Sequence, residues 1–382
     1  MNKDNFFNEM RKHSKIKLNI FEETLKVSIS IANEMAKKFN TYNYVYIDLF
    51  AGTGLYQSGE KGSPLRAINI ILNHKKTKNN KLKNFFVLFV EENKKHFLFL
   101  ETEIKKNKEI YEKYNIFIEI KQGKWEEHKN CIKEYLKKST FGFLFLDPFI
   151  SINFKEFNNI IKDRSIRFKE IMMLFNLHSI IRNIDNEKAL SSLEKILKIK
   201  FDKIIESDKP DEEIAHHIQK FFDKDFKTGI SIPIDVKGKL KKIDYFILFL
   251  FTNSIGVADS FLKAYGSRIS ELYPHKKGGF DQGFNLKNDI NEFLKSKHSA
   301  TLYDLIVYFH KKVVSWKKAI NVSVEVPTLK NLREILNKMD SDGKILITSS
   351  APQLLGKRKK LLSKIRRKED MEKIKIEKIP KR

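Results

Sequence analysis

The sequence predicts an α/β protein, with a Rossmann-like domain (a mostly parallel sheet, helices on both faces) followed by a C-terminal winged-helix domain. Three observations carry that prediction. Up to about residue 275, short apolar runs of strand length alternate with amphipathic stretches of helix length. The first apolar run ends in a glycine turn, Asp48-Leu-Phe-Ala-Gly-Thr-Gly54. Beyond a glycine-rich polar break at 276–289, three helix-length segments and a short strand replace the alternation.

Taken in order, Phe21, Leu25, Ile29, Ala32, Met35 and Phe39 recur at three and four, predicting an amphipathic helix over 21–39. Residues 44–50 are a β-rich run that the glycines terminate. Ser63 before Pro64 reads as a helix N-cap and first turn, with Leu65, Ile68 and Leu72 on one face. Strands follow at 85–90, 116–120, 141–146 and 170–175, with helices at 94–107 and 126–138 between them. The 141–146 run is almost purely apolar before Asp147-Pro148, as a buried central strand should be. Runs at 231–236 and 245–251 flank Lys237-Gly-Lys239 and predict a hairpin that closes the sheet with an antiparallel edge. The expected organisation is a helical lead-in over 1–40, the main domain over 41–275, a winged helix-turn-helix over 285–350 and a basic tail over 351–382. In the winged-helix part, helices are expected at 286–294, 302–309 and 329–339, with a strand at 344–348. A small helical dimerisation module is the alternative for that segment.

Composition narrows the function classes. The chain has 382 residues and no uninterrupted apolar run of the roughly 18–20 residues needed to span a membrane. Its start lacks an apolar block with a small-residue cleavage site, which predicts a cytoplasmic protein. The single cysteine, Cys131, excludes an intrachain disulfide and a thiolate zinc cluster, and no metal site is expected. Net charge is +26, although only 11 of the 74 basic residues are arginine, and lysine alone is weak evidence for a polyanionic partner. Position says more: residues 351–382 hold 13 basic and 4 acidic side chains, a net of +9, pointing to nucleic acid, DNA or RNA.

The glycine turn is the central chemical signal. A strand running into Asp48-x-Phe50-x-Gly52-x-Gly54 lets a ligand approach the backbone closely, because the glycines carry no side chains. A dinucleotide turn would want a third glycine at position 57, where Gln57 stands, and no Gly-Lys-Ser/Thr follows for a phosphate loop. The insertion 55–61 before Ser63 is a candidate lid. Glu91 and Glu92 end the second strand, where a carboxylate can accept both hydroxyls of a ribose, and Glu91 is the better placed. Gly123 follows the third strand, beside the expected adenine position, and Trp125 either stacks there or belongs to the core. Asp147, Pro148 and Phe149 close the fourth strand. A carboxylate and a carbonyl there can hold an amine, while Phe149 stacks on an extruded base. His178, after the fifth strand, either lines the same cleft or is structural.

On Tyr46-Ile-Asp-Leu-Phe-Ala-Gly-Thr-Gly54, Gly62-Ser-Pro-Leu65 and Phe145-Leu-Asp-Pro-Phe149, the sequence resembles the three-Cys-motif partner family, within the class I S-adenosylmethionine-dependent methyltransferases. The resemblance covers roughly residues 20–270. It implies a Rossmann-like methyltransferase fold, S-adenosylmethionine at Asp48, Phe50, Gly52, Gly54, Glu91 and Gly123, and methyl transfer to a base amino group at Asp147, Pro148 and Phe149. It also implies a winged-helix segment and an associated partner protein. Two departures stand out: Phe149 follows Pro148 with no second proline between, and Gly123-Lys124 replaces the acidic residue often found near the adenine. A non-catalytic DNA-binding regulator or defence component that uses the fold to sense a nucleotide or bind a partner is the alternative reading.

Overall fold

The structure is a computed structural model. It describes residues 10–148, 153–161, 169–176, 210–222, 225–235, 245–268, 286–297, 299–311, 327–356 and 368–379, with single positions between them. The chain divides into two compact units, Met1–Asn253 and Ser254–Arg382.

In the first unit the order is α1 (Lys12–Met35), β1 (Asn43–Asp48), α2 (Ser63–Lys75), β2 (Asn84–Glu91), α3 (Lys94–Lys105), α4 (Lys108–Lys113), β3 (Ile116–Gln122), a 3-10 turn (Trp125–His128) and α5 (Lys129–Lys137). It continues with β4 (Phe141–Leu146), α6 (Phe154–Ile161), β5 (Lys169–Asn176), α7 (Pro210–Phe222), β6 (Thr228–Asp235) and β7 (Tyr245–Thr252). The seven strands form one sheet in the order β3-β2-β1-β4-β5-β7-β6. Strands β1 to β5 pair in parallel, and β7 runs antiparallel to both β5 and β6. This is the Rossmann-like α/β architecture expected from the alternation, with the antiparallel closing hairpin; the turn at 237–239 lies outside the described residues.

Apolar side chains at both faces of the central strands explain the order. Tyr44, Val45, Tyr46 and Ile47 of β1 and Phe143 to Leu146 of β4 are all buried, as strands covered on both sides must be. Helix α1 covers one face through Ile16, Ile20, Phe21, Leu25, Ile29 and Ala32. The Phe21 ring lies 4.6 Å from that of Phe145 and 5.9 Å from that of Phe143, between centroids. The helix begins at Lys12 rather than near Phe21, because Ile16, Leu18 and Ile20 extend its buried stripe through a lysine-rich stretch. After β1 the chain moves outward to β2 and β3, then crosses back to β4 on the other side. The carboxyl ends of β1 and β4 therefore flank the topological switch point, where open α/β sheets form their ligand crevice.

The second unit runs α8 (Ile255–Gly266), α9 (Leu286–Lys297), β8 (Ser299–Thr301), α10 (Leu302–Lys311), α11 (Leu329–Ser341), β9 (Ile345–Ser349), α12 (Lys368–Glu372) and β10 (Ile374–Lys378). Side-chain caps mark the starts of its helices, including Ser254 Oγ, which accepts from the Val257 N–H at the start of α8. Asp304 Oδ2 accepts from the Thr301 N–H at 3.1 Å while Thr301 Oγ1 accepts from the Asp304 N–H at 3.1 Å, a reciprocal box at the start of α10. Thr328 Oγ1 accepts from the Asn331 N–H and caps α11. The core gathers Ile290, Phe293, Leu305, Ile306, Leu332 and Leu336 under a three-stranded antiparallel sheet, β8-β10-β9.

Two boundaries differ from the sequence expectation. The units meet at Asn253 and Ser254, upstream of the glycine-rich 276–289 stretch, and α8 belongs with the second unit: Asp259 Oδ1 accepts from the Leu329 N–H at 2.7 Å. Nor is 351–382 a tail. Its β10 is the central strand of the small sheet, with Ile376 buried opposite Ala300 and Ile347. Alternating Ile374 and Ile376 supply the inward face, and Lys375 between them is exposed.

Candidate active site

Strand β1 delivers Asp48 to the carboxyl edge of the sheet, where the chain turns through Gly52 at φ +65° and Gly54 at φ +73°. Residues with a Cβ disfavour that left-handed region. At Gly54 an added Cβ would also lie 2.5 Å from Leu100 Cδ1. The turn is tied to its neighbours: the Ala51 N–H donates to the Val90 carbonyl at 3.0 Å, and the Gly52 N–H donates to Glu91 Oε2 at 2.7 Å. Glu91 ends β2 and also accepts from the Asn93 N–H, through Oε1, at 2.8 Å. Each carboxylate oxygen can accept more than one hydrogen bond, so these bonds fix the side chain without exhausting it. Glu92 is exposed.

Asp48 is fully enclosed. Its Oδ1 accepts from the Phe50 N–H at 3.1 Å and its Oδ2 from Ser63 Oγ at 2.7 Å. Burial pushes its carboxyl up to about 7; the hydrogen bonds from Ser63 and Phe50 oppose the rise, and the charges of Asp147 and Glu91 add to it. The Ser63 hydroxyl is thus spent on Asp48. The N-cap of α2 is Gly62, not Ser63, with Pro64 in the first turn. Between turn and helix, the 55–61 insertion closes on itself through the Leu55–Lys61 bridge and the Tyr56 N–H to Glu60 carbonyl bond at 2.9 Å.

Gly123 follows β3 at φ +126°, its N–H donating to the Glu91 carbonyl at 3.0 Å. A Cβ there would come within 2.6 Å of Glu127 Oε2. The glycine turn, Glu91 and Gly123 are therefore one connected piece of backbone. Trp125 resolves to the core alternative: it is buried, edge-on to Phe157 at 6.1 Å.

Asp147 stands just past β4 and is partly open, with buried Pro148 behind it. Phe149 and His178 lie outside the described residues. The structure adds what the motif search missed. Lys17, buried on α1, donates its ammonium to Asp147 Oδ2. His13, one helical turn earlier, is lowered to about 4, first by burial, then by the charges of Lys17 and Arg11, with Asp147 opposing. Its imidazole is neutral at pH 7. Tyr56 of the insertion is pushed up to about 12, by burial first and the charge of Asp147 next. A sequence signal for the helix residues did exist. His13, Lys17, Thr24 and Ser28 fall at spacings of four, seven and four, on the same stripe as buried Phe21.

The arrangement presents three carboxylates, Asp48, Glu91 and Asp147, at the carboxyl ends of β1, β2 and β4 around a glycine turn. Among the described residues no helix is long and apolar enough to cross a membrane.

No family model matches the chain, and no curated protein matches it. Among solved structures it is similar to protein LPL1258 from Legionella pneumophila, at 10% identity over 67% of this chain and 94% of that one, with a TM-score of 0.38. It is also similar to a candidate caffeoyl-CoA O-methyltransferase from Staphylococcus aureus, at 10% identity over 58% and 82% of the two chains and a TM-score of 0.28. A third is spermidine synthase from Thermotoga maritima, at 10% identity over 73% of each chain and a TM-score of 0.31.

Proposed function

We propose that the first unit is an S-adenosylmethionine-dependent methyltransferase acting on an exocyclic amine of a nucleic-acid base. The observation that carries this reading is the placement of Glu91 and Asp147 on either side of Asp48 and the Gly52–Gly54 turn, at the switch point of the sheet. The residues present suit the cofactor. Positive φ at Gly52 and Gly54 turns the chain back beside the ends of β1 and β2, and Glu91, oriented by two backbone N–H groups, keeps acceptor capacity for ribose hydroxyls. When bound, S-adenosylmethionine supplies an electrophilic methyl group on a sulfonium. Asp147 accepts a hydrogen bond from the amine, turns its lone pair toward the crevice and is the first acceptor for the proton the amine sheds. Phe149, two residues further along the chain, is proposed to stack on the base.

The second unit supports a nucleic-acid partner. From α9 to β10 it runs helix, strand, two helices, strand, a short helix and a last strand, three main helices with an antiparallel β9–β10 pair as in a winged helix, and we assign it as one. Residues 350–373, between β9 and β10, hold nine basic and three acidic side chains in the position of the wing. The three-Cys-motif partner resemblance agrees with this arrangement and adds an associated protein as a proposed partner.

Labelled S-adenosylmethionine with mixed DNA and RNA tests the reading. Wild type is expected to label one of them, while Asp147→Ala keeps cofactor binding and loses transfer by at least about a hundredfold. Cofactor binding without transfer to any nucleic acid contradicts it. The Lys17–Asp147 ion pair favours a second reading, a non-catalytic nucleic-acid-binding regulator, because it leaves Asp147 already partnered. That reading requires salt-sensitive nucleic-acid binding, unchanged in Asp147→Ala, and no transfer.

A further inference from the structure

Asp147 is presented together with a buried cation, and the pair has a shape that a carboxylate alone lacks. Lys17 is fixed by α1: its side chain is 9% exposed, and the helix around it is anchored by Ile16, Ile20 and Phe21. The Asp147 side chain keeps 24% exposure, so the pair is open from the carboxylate side. An ammonium has three N–H donors, and among the described residues that of Lys17 has no hydrogen-bond partner besides Asp147 Oδ2. Asp147 Oδ1 likewise has no other hydrogen bond among them. A free donor therefore lies beside a free acceptor. Burying a lysine is costly unless it is paired and further satisfied, so a ligand acceptor that meets the spare N–H groups is favoured there.

Given base methylation as the activity, on which this inference rests, we infer that Lys17 and Asp147 together recognise an amidine edge, in which an exocyclic amine adjoins an unprotonated ring nitrogen. Asp147 accepts from the amine, and Lys17 donates to the ring nitrogen. Adenine offers this pattern through its amine with N1 or N7, and cytosine through its amine with N3. Thymine and uracil lack the amine altogether. Guanine offers the pattern only through its amine with N3 on the sugar edge, because N1 on the pairing edge carries a proton that would face the ammonium, donor against donor. Lys17 is thus a specificity-determining residue that touches the base, and the target class is a base read on its pairing edge or at N7, adenine or cytosine. His13 sits four residues earlier on the same helix face, and its low pKa keeps a second positive charge from crowding the pair.

Short thymine oligonucleotides carrying one adenine or one cytosine, and the same oligonucleotides with 1-deaza- or 7-deazaadenine or 3-deazacytosine, test the inference by fluorescence-anisotropy binding without cofactor and by label transfer with it. Replacing the contacted ring nitrogen by C–H is expected to weaken wild-type binding about tenfold or more, the scale for a hydrogen bond to a charged group. Lys17→Met is expected to bind parent and deaza oligonucleotides alike, and Lys17→Arg to keep the discrimination. Wild type that ignores every deaza substitution, or Lys17→Met that discriminates as well as wild type, overturns the inference. The wild-type comparison stands alone if Lys17→Met fails to fold. Transfer to a base without Lys17-dependent discrimination removes this inference and leaves the methyltransferase reading intact. Discrimination in binding without any transfer supports the inference and removes the catalytic reading.

Discussion

Burial holds two carboxyl groups near neutrality in the first unit, Asp48 at the crevice and Glu170 beneath it. Glu170 is pushed up to about 7 mainly by burial, against hydrogen bonds from Ser28 and Thr252. Ser28 links it to α1 and, through a 2.6 Å contact with the Tyr44 hydroxyl, to β1. A carboxyl raised in the folded state binds its proton while the unfolded chain, near its ordinary value, has already lost it. The stability it contributes is full below the unfolded value near 4 and is lost as pH rises to about 7. His13 works in the opposite direction between about 4 and 6.5, so the wild-type profile mixes the two. Glu170→Gln isolates the first effect. Relative to wild type, the variant should gain stability between pH 5 and pH 8, by up to about 3 kcal/mol at roughly 1.4 kcal/mol per pKa unit. Chemical denaturation at the two pH values measures this, and an equal difference at both would show that the Glu170 proton is not held by the fold.

Among the elements, α1 and β10 carry more than their sequences announce. Helix α1 is cover for the sheet and, through His13 and Lys17, one wall of the site. Strand β10 is short and lysine-rich, yet it bridges β8 and β9 and buries Ile374 and Ile376 completely. Placing a carboxylate at its centre should be severe: Ile376→Asp is expected to cost about 3–5 kcal/mol, from a lost apolar side chain and a buried unpaired charge. Differential scanning calorimetry should show the loss or large downward shift of one transition, with cofactor binding by the first unit retained. An unchanged melting profile would mean that β10 does not build the second unit.

At the scale of the whole molecule, the regular α/β alternation was legible because parallel strands buried on both faces read as apolar runs, and glycines with positive φ mark where they turn. Phe141–Leu146 and Asp48–Gly54 needed no tertiary information. What was hidden depended on long-range contacts. Nothing local in Lys12–Asn19 says that Lys17 meets a carboxylate 130 residues away. The alternation in Ile374–Lys378 was masked by charge, and the place where one unit gives way to the next follows contacts such as Asp259 to Leu329, not the glycine-rich composition downstream. Ser63 stands at the helix start but is not its N-cap, because its hydroxyl donates to Asp48, whose buried carboxyl group needs donors. The claim on which the functional account depends is that S-adenosylmethionine occupies the crevice at Gly52. Calorimetric titration of the cofactor into wild type and Gly52→Val, with folding of both checked by circular dichroism, tests it most directly. The account predicts saturable binding to wild type and at least about a hundredfold weaker binding to the variant, whose β-branched side chain is forced to φ +65° where the ligand must approach. Equal affinity for the two proteins, or no binding to folded wild type, would contradict it.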